Sequence, residues 1–241
     1  MTSAARAELA PTGKLRVALN YSNFLLVSKR APEHVGVAPD LGRELAKRLG
    51  VEVEFVGYED AGQAAEGVKT GAWDVAFIGA DPARAGEITF TPAYVEIDAT
   101  YLVPPGSPIH TAHEVDRVGV RIATTARAAY TLYLERTLKH ATLVYAEGLP
   151  GAFALFVRDR LDVLAGLTQH HLQQLDKLPG ARILEGRFTA IQQAIGTPKR
   201  RTAAAVYLAA FGEEIRAAGF VTSLIERHGV RGLSVSPLAK G

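Results

Sequence analysis

The sequence predicts an α/β fold of two Rossmann-like lobes joined by a two-crossing hinge. A strand–helix–strand unit appears twice, as YEDAGQAAEGVKTGAWDVAFIG over residues 58–79 and YAEGLPGAFALFVRDRLDVLAG over 145–166. Each copy leaves an apolar alternating stretch, passes through a small-residue helix and ends in Asp-Val plus an apolar run (Asp74-Val75, Asp162-Val163). Strand and helix patterns alternate along the chain, which indicates largely parallel sheets. Proline marks two breaks, Pro104-Pro105-Gly106-Ser107-Pro108 and Thr197-Pro198, so hinge crossings are expected near 104–106 and 193–196. The lobes would then be 14–103 plus 197–241, and 107–192.

The elements follow in order. Residues 1–13 read as a flexible lead-in. Leu15-Arg-Val-Ala-Leu19 alternates as a strand, and Asn20 to Lys29 reads as the loop at its end. Asp40 is the expected N-cap of a helix over 41–49, because a carboxylate accepts orphan backbone N–H groups. Leu41, Leu45 and Leu49 give that helix one apolar face, and Gly50 stops it. Val51 to Phe55 is the next strand, and the first repeated unit ends in a strand over 74–79. Strands are expected over 100–103 and 117–124, then a helix over 126–140 carrying Tyr130, Leu134 and Leu138. After the second unit come a helix over 172–178, a short strand over 181–184 and an alternating stretch over 191–196, broken at Thr197-Pro198. An amphipathic helix over 202–218 would turn Val206, Ala210 and Phe211 inward and end at Gly219, with a last short helix over 220–228.

Composition narrows the function classes. The chain of 241 residues is 48% hydrophobic and 22% charged with a net charge of +2, as in ordinary globular proteins with a sizeable core. So small a charge, with scattered basic residues, gives no reason to expect nucleic acid as a partner. The densest cluster, Lys199-Arg200-Arg201, is expected on a solvated surface. There is no cysteine, which excludes disulfides and thiolate chemistry. No apolar run reaches the roughly 18 residues of a membrane span. The opening MTSAARAELAPTGKL lacks the apolar core of a secretory signal, so either a signal has been removed or the protein stays in the cytoplasm. His110 and His113, and His170-His171, lack acidic partners at metal-ligand spacing. No glycine-rich phosphate loop follows a strand. No metal, cofactor or catalytic residue is expected.

The residues that carry a family resemblance are Gly13-Lys-Leu-Arg-Val17, Gly36-Val-Ala-Pro-Asp-Leu41, Lys69-Thr-Gly-Ala-Trp-Asp74, Asp81-Pro-Ala-Arg84, Ile88-Thr-Phe-Thr-Pro-Ala-Tyr94 and Gly196-Thr-Pro-Lys199. In this order and spacing, over residues 13–230, the chain resembles a type II periplasmic solute-binding protein of the polar amino-acid-binding kind. The resemblance implies a hinged ligand-binding protein that captures a small carboxylate in the interlobe cleft and serves an ABC permease. It also implies a periplasmic location and a monomer. Two other readings belong to the same fold: a sensor module, and a lyase of the cyclohexadienyl dehydratase type.

Site residues follow from the resemblance position by position. Arg84 would clamp the carboxylate, since a guanidinium fork matches two carboxylate oxygens, aided by a helix beginning near Pro82. The alternative for Arg84 is a surface ion pair with Glu87, and Asp81 reads best as a cap before Pro82. Asn20, Asn23 and Phe24 would line the pocket from the loop after the first strand, with Phe24 either stacking on the ligand or packing as core. Phe77, Gly79 and Ala80 would line it from the next strand. In the second lobe, Thr125, Arg127 and Ala128 stand where the family has a Gly-Thr or Gly-Ser pair at a helix start. Arg127 would be a second cation for the ligand or a solvent-facing side chain. Leu167 stands where amino-acid binders place an acid for the ligand's ammonium, with Thr168 and Gln169 offering neutral hydrogen bonds. An unpaired buried ammonium costs several kcal/mol, so an α-amino acid is not the obvious ligand.

Overall fold

A computed structural model describes residues 2–238. In chain order it contains α1 (Ser3–Leu9), β1 (Lys14–Asn20), α2 (Val37–Leu49), β2 (Glu52–Tyr58), α3 (Ala61–Glu66), β3 (Val75–Gly79), β4 (Ile88–Phe90), β5 (Val95–Val103), β6 (Arg121–Thr125), α4 (Ala129–Thr137), β7 (Thr142–Ala146), α5 (Gly148–Arg158), β8 (Val163–Leu167), α6 (Thr168–Gln174), β9 (Arg182–Ile183), β10 (Thr189–Pro198), α7 (Thr202–Ala217), α8 (Phe220–Arg227) and β11 (Ser234–Val235). The chain divides into two compact units, Met1–Glu96 with Gln192–Gly241, and Ile97–Ile191. The divisions fall inside β5 and β10, and Pro104 to Pro108 belongs to the second unit. Thr197-Pro198 does not break its strand. Both residues lie in β10, opposite Thr89 and Ile88, at the end where a missing N–H is tolerated.

The first unit has strand order β2-β1-β3-β10. β1 runs parallel to β2 and β3, and β10 returns antiparallel to β3 with Ile195 opposite Phe77. The second unit repeats the plan as β7-β6-β8-β5. β6 runs parallel to β7 and β8, and β5 is antiparallel to β8 with Ala99 opposite Leu167. The duplicated sequence is thus a duplicated topology. The aspartate that ends each repeat explains its presence. Asp74 Oδ2 accepts from Arg16 N and Nε, both at 3.0 Å. Asp162 Oδ2 accepts from Arg121 N at 2.8 Å and lies 3.5 Å from its Nε. In both units the aspartate ties the start of the central strand to the start of the next.

The core of the first unit gathers Leu15, Val17 and Leu19 of β1, Leu41, Leu45 and Leu49 of α2, and Leu208, Phe211 and Ile215 of α7. In the second unit Ile122, Leu134 and Val163 pack with Tyr101 and Val103. A further cluster sets Ala152, Leu155 and Phe156 of α5 against Ala123 and Leu164.

Several expectations need correction. The lead-in is not loose: α1 buries Ala5 and Leu9, and Glu8 Oε2 accepts from Ala204 N at 2.8 Å, capping α7. Helix α2 starts four residues early, at Val37. Its N-cap is Gly36 (φ 139°), and Asp40 sits in its first turn, bonded to Arg43 and His228. A Cβ on Gly36 would lie 2.3 Å from the Leu26 carbonyl oxygen, so only glycine fits. Residue 206 is 74% exposed and Ala210 also faces out; α7 turns Ala204, Leu208, Phe211 and Ile215 inward. Arg201 is not simply solvated, because its Nη1 bonds Asp74 Oδ1, a fully buried carboxylate, at 2.6 Å.

Candidate functional site

In the first unit the sequence-derived residues gather at the C-terminal ends of β1 and β3. Asn20 ends β1, and its Oδ1 accepts from Ser22 N at 3.1 Å and Ser22 Oγ at 2.8 Å. This Asx turn bends the loop sharply. Asn23 is buried; its carbonyl accepts from Leu26 N and Val27 N, and its Oδ1 has no hydrogen-bond partner among the described residues. Phe24 is half-buried, unlike Leu25, Leu26 and Val27 beside it. Phe77 is a core residue, in edge-to-face contact with Tyr94 at 5.8 Å. Gly79 ends β3, and Ala80 N donates to Gln192 O at 2.7 Å.

Arg84 is 7% exposed, which removes the reading of a surface pair with Glu87. Its Nη1 donates to the Gly79 carbonyl at 2.7 Å. Burial pushes its pKa down to about 10, opposed by the carboxylates of Asp81 and Asp60. The guanidinium therefore stays charged at neutral pH. The segment that presents it is a run of turns, not a helix: Arg84 N bonds Asp81 O at 3.0 Å and Ala85 N bonds Pro82 O at 3.2 Å. No helix dipole acts there. Asp81 does cap the turn, through Oδ1 and Ala83 N at 2.8 Å. Asp60, which the sequence reading passed over, is the N-cap of α3 and accepts from Gln63 N at 2.8 Å. Its signal was present in the sequence as Asp-x-x-Gln ahead of a small-residue helix.

In the second unit the candidates cluster at the C-terminal ends of β6 and β8. Thr125 ends β6, and its buried Oγ1 has no hydrogen-bond partner among the described residues. Arg127 has φ +59°, a conformation that costs a non-glycine residue about 1 kcal/mol. Glycine would reach this backbone conformation without strain. The Arg127 side chain reaches Glu147 at 3.6 Å, with both partly exposed, a pair of little energetic weight. Ala128 is the N-cap of α4 and has no side chain that could cap it. Thr131 Oγ1 turns back to the Thr125 carbonyl and to Thr124 Oγ1, both at 2.7 Å. Burial pushes the adjoining Tyr130 up to about 12.

Leu167 ends β8 and is buried; Thr168 opens α6 and its Oγ1 donates to Asp98 O at 3.2 Å. Just beyond, His170 and His171 are buried and neutral, with burial pushing their pKa values down to about 4 and about 3. His171 Nε2 lies 3.1 Å from the Thr100 carbonyl. Among the described residues no group of three or more His, Asp or Glu side chains could hold a metal ion.

The family model for bacterial extracellular solute-binding proteins, family 3, matches residues 15–230. No curated protein sequence matches. Solved structures share the fold at low identity. A mutant of ArgBP from T. maritima is 21% identical, with TM-score 0.75 over 92% of this chain and 98% of that one. The binding component of an ABC transporter from Wolinella succinogenes, complexed with lysine, is 19% identical, with TM-score 0.74 over 90% and 95%. An ancestral amino acid-binding protein, AncCDT-1, described as a precursor of cyclohexadienyl dehydratase, is 20% identical, with TM-score 0.73 over 92% and 98%.

Proposed function

We propose, for a chain that belongs to the bacterial extracellular solute-binding proteins, family 3, that it captures a small carboxylate-bearing solute outside the cytoplasm and delivers it to an ABC-type importer. One observation carries the reading. Arg84 is a buried, charged guanidinium at the end of β3, held by the Gly79 carbonyl. A carboxylate matches its planar fork of donors. The α4 N-terminus, whose N-cap Ala128 offers no side-chain acceptor, supplies further donors of the kind that bind anions.

Asn20, Asn23, Phe24, Thr125, Arg127 and Thr168 form the polar and aromatic surroundings of the solute, and Gly79, Ala80 and Ala128 its small-residue walls. Phe77 contributes from the core beneath them. The apolar Leu167 favours solutes without a cationic amine nearby, so keto, hydroxy and dicarboxylic acids stand beside amino acids in the ligand class. Capture proceeds by closure of the two units, a shift of a pre-existing equilibrium.

The test is a thermal-shift screen against amino acids, keto and hydroxy acids, dicarboxylates and aromatic acids, followed by calorimetry. A solute at 100-fold its Kd stabilises the native state by about 2.7 kcal/mol. Arg84→Ala should weaken the best hit by about 100-fold or more, consistent with a charge-assisted bidentate contact, while the fold persists by circular dichroism. Unchanged affinity would remove Arg84 from the site. Recovery of the solute unchanged after long incubation supports a binder; its consumption would point to a lyase.

A further inference from the structure

The proline-rich segment Pro104 to Pro108, expected as a hinge, has a different place in the fold. Arg182 Nη2 pins it by donating to the carbonyls of Ser107 at 2.9 Å and Ile109 at 3.1 Å. The segment forms one wall of a cavity of about 610 Å³, made entirely by the second unit. That is the size of a small-molecule site. Ile109, Phe156 and Leu161 line it and are buried. Val118 and Val157 also line it, but are 86% and 45% exposed, so they stand at its mouth. Val120 places the cavity at the start of β6, whereas Thr125 and Leu167 lie at the far ends of β6 and β8.

Three charged side chains line the cavity: Arg117, Arg160 and Asp162. Asp162 is answered by Arg121, and Arg117 by Glu114, each at 3.5 Å. Nearby, Arg158 holds both oxygens of Asp159, at 2.6 and 2.9 Å. The Arg160 side chain has no hydrogen bond or ion pair among the described residues. Its backbone is as unusual. Helix α5 ends in a Schellman motif, with Leu161 N donating to Phe156 O at 3.0 Å and Arg160 N to Val157 O at 3.4 Å. Glycine usually takes the left-handed position of that motif. Here Arg160 takes it, at φ +48°, a conformation that strains any residue with a Cβ. The chain thus accepts strain and sets an unanswered guanidinium on the rim of an apolar cavity.

We propose that this cavity is a binding site for a free medium-chain fatty carboxylate, separate from the solute site. The chain of the acid lies against Ile109, Phe156 and Leu161, and its carboxylate takes Arg160. The walls select an apolar body. The one unanswered charge is a cation whose fork of donors matches a carboxylate. Neither Arg84 nor closure of the two units enters the proposal.

The experiment is a titration of the whole chain with octanoate, followed by calorimetry and by amide NMR shifts. Octanoate should move the amides of Gly119, Val157 and Leu161, which line the cavity. Octylammonium has the same tail and the opposite head. It should bind about tenfold more weakly, and acetate should leave those amides in place. Arg160→Gly should lose about tenfold in octanoate affinity. Its urea midpoint should equal the wild type's or exceed it, because glycine relieves the backbone. Val118→Asp changes a side chain that is almost wholly exposed. It should keep the fold and weaken octanoate by placing a like charge at the mouth. Octanoate that moves none of these amides, octylammonium that binds as tightly, or unchanged affinity in Arg160→Gly would each overturn the proposal. Loss of the same shifts in Arg84→Ala would also overturn it, since octanoate would then be reporting on the solute site. Failure of Arg84 to bind any carboxylate would leave the results at this cavity untouched.

Discussion

Asp74 has no solvent exposure and takes four donors: Arg16 N, Nε and Nη2, and Arg201 Nη1. Its counterpart Asp162 makes the same backbone bond but leaves 40% of its side chain in water. Removing one partner of a buried ion pair costs about 3–5 kcal/mol, whereas an exposed pair contributes about 1 kcal/mol or less. Asp74→Asn should therefore lower urea-unfolding stability several-fold more than Asp162→Asn. Equal losses would show that the buried network carries no extra energy. His171 gives the pH dependence. Its folded pKa is depressed to about 3 by burial, so the unfolded chain binds more protons between there and about 6.5. Stability is full above about 6.5 and is lost as pH falls, by about 2 kcal/mol for this group at pH 5. His171→Asn, assayed by urea melts at both pH values, should flatten that part of the profile. The Asp-Val repeats and the His170-His171 pair are visible in the sequence; the burial that gives them their energies comes from tertiary packing, which no local pattern reports.

At the scale of elements, strands were more legible than helix ends. β1, β3 and β8 announce themselves by apolar alternation or runs, and α2 by its Leu41–Leu45–Leu49 spacing. The face of α7 was not legible, because TAAAVYLAAFG is apolar almost all round and periodicity cannot choose a side. The start of α2 was missed because Gly36 caps through its backbone angles, while Asp40 only resembles a cap. At Asp81-Pro-Ala-Arg84 the proline after a capping aspartate reads as a helix start, and the chain instead makes a run of turns. The α1–α7 contact was invisible, since it joins the two ends of the chain. It is also testable. Leu9→Ala should cost about 2–5 kcal/mol as a cavity in a packed core. Glu8→Ala should cost about 1 kcal/mol as the loss of a cap. Both would be read as lowered denaturation midpoints, and a neutral Leu9→Ala would mean that α1 is detached in solution.

For the whole molecule, the divided first unit sets an order of events during synthesis. The second unit is one continuous stretch, Ile97–Ile191, and has all its strands once that stretch has left the ribosome. The first unit begins the chain but lacks β10, α7 and α8 until the last residues emerge. The surface that α1 docks on, and the amide that Glu8 caps, belong to α7. Domains generally fold as units as they are made, and contacts between distant residues form slowly. The later-made unit is thus complete first, and the chain's opening residues wait, with Leu9 and the face of α2 uncovered, for its closing ones. The time taken to translate 192–227 sets how long that apolar surface stays uncovered.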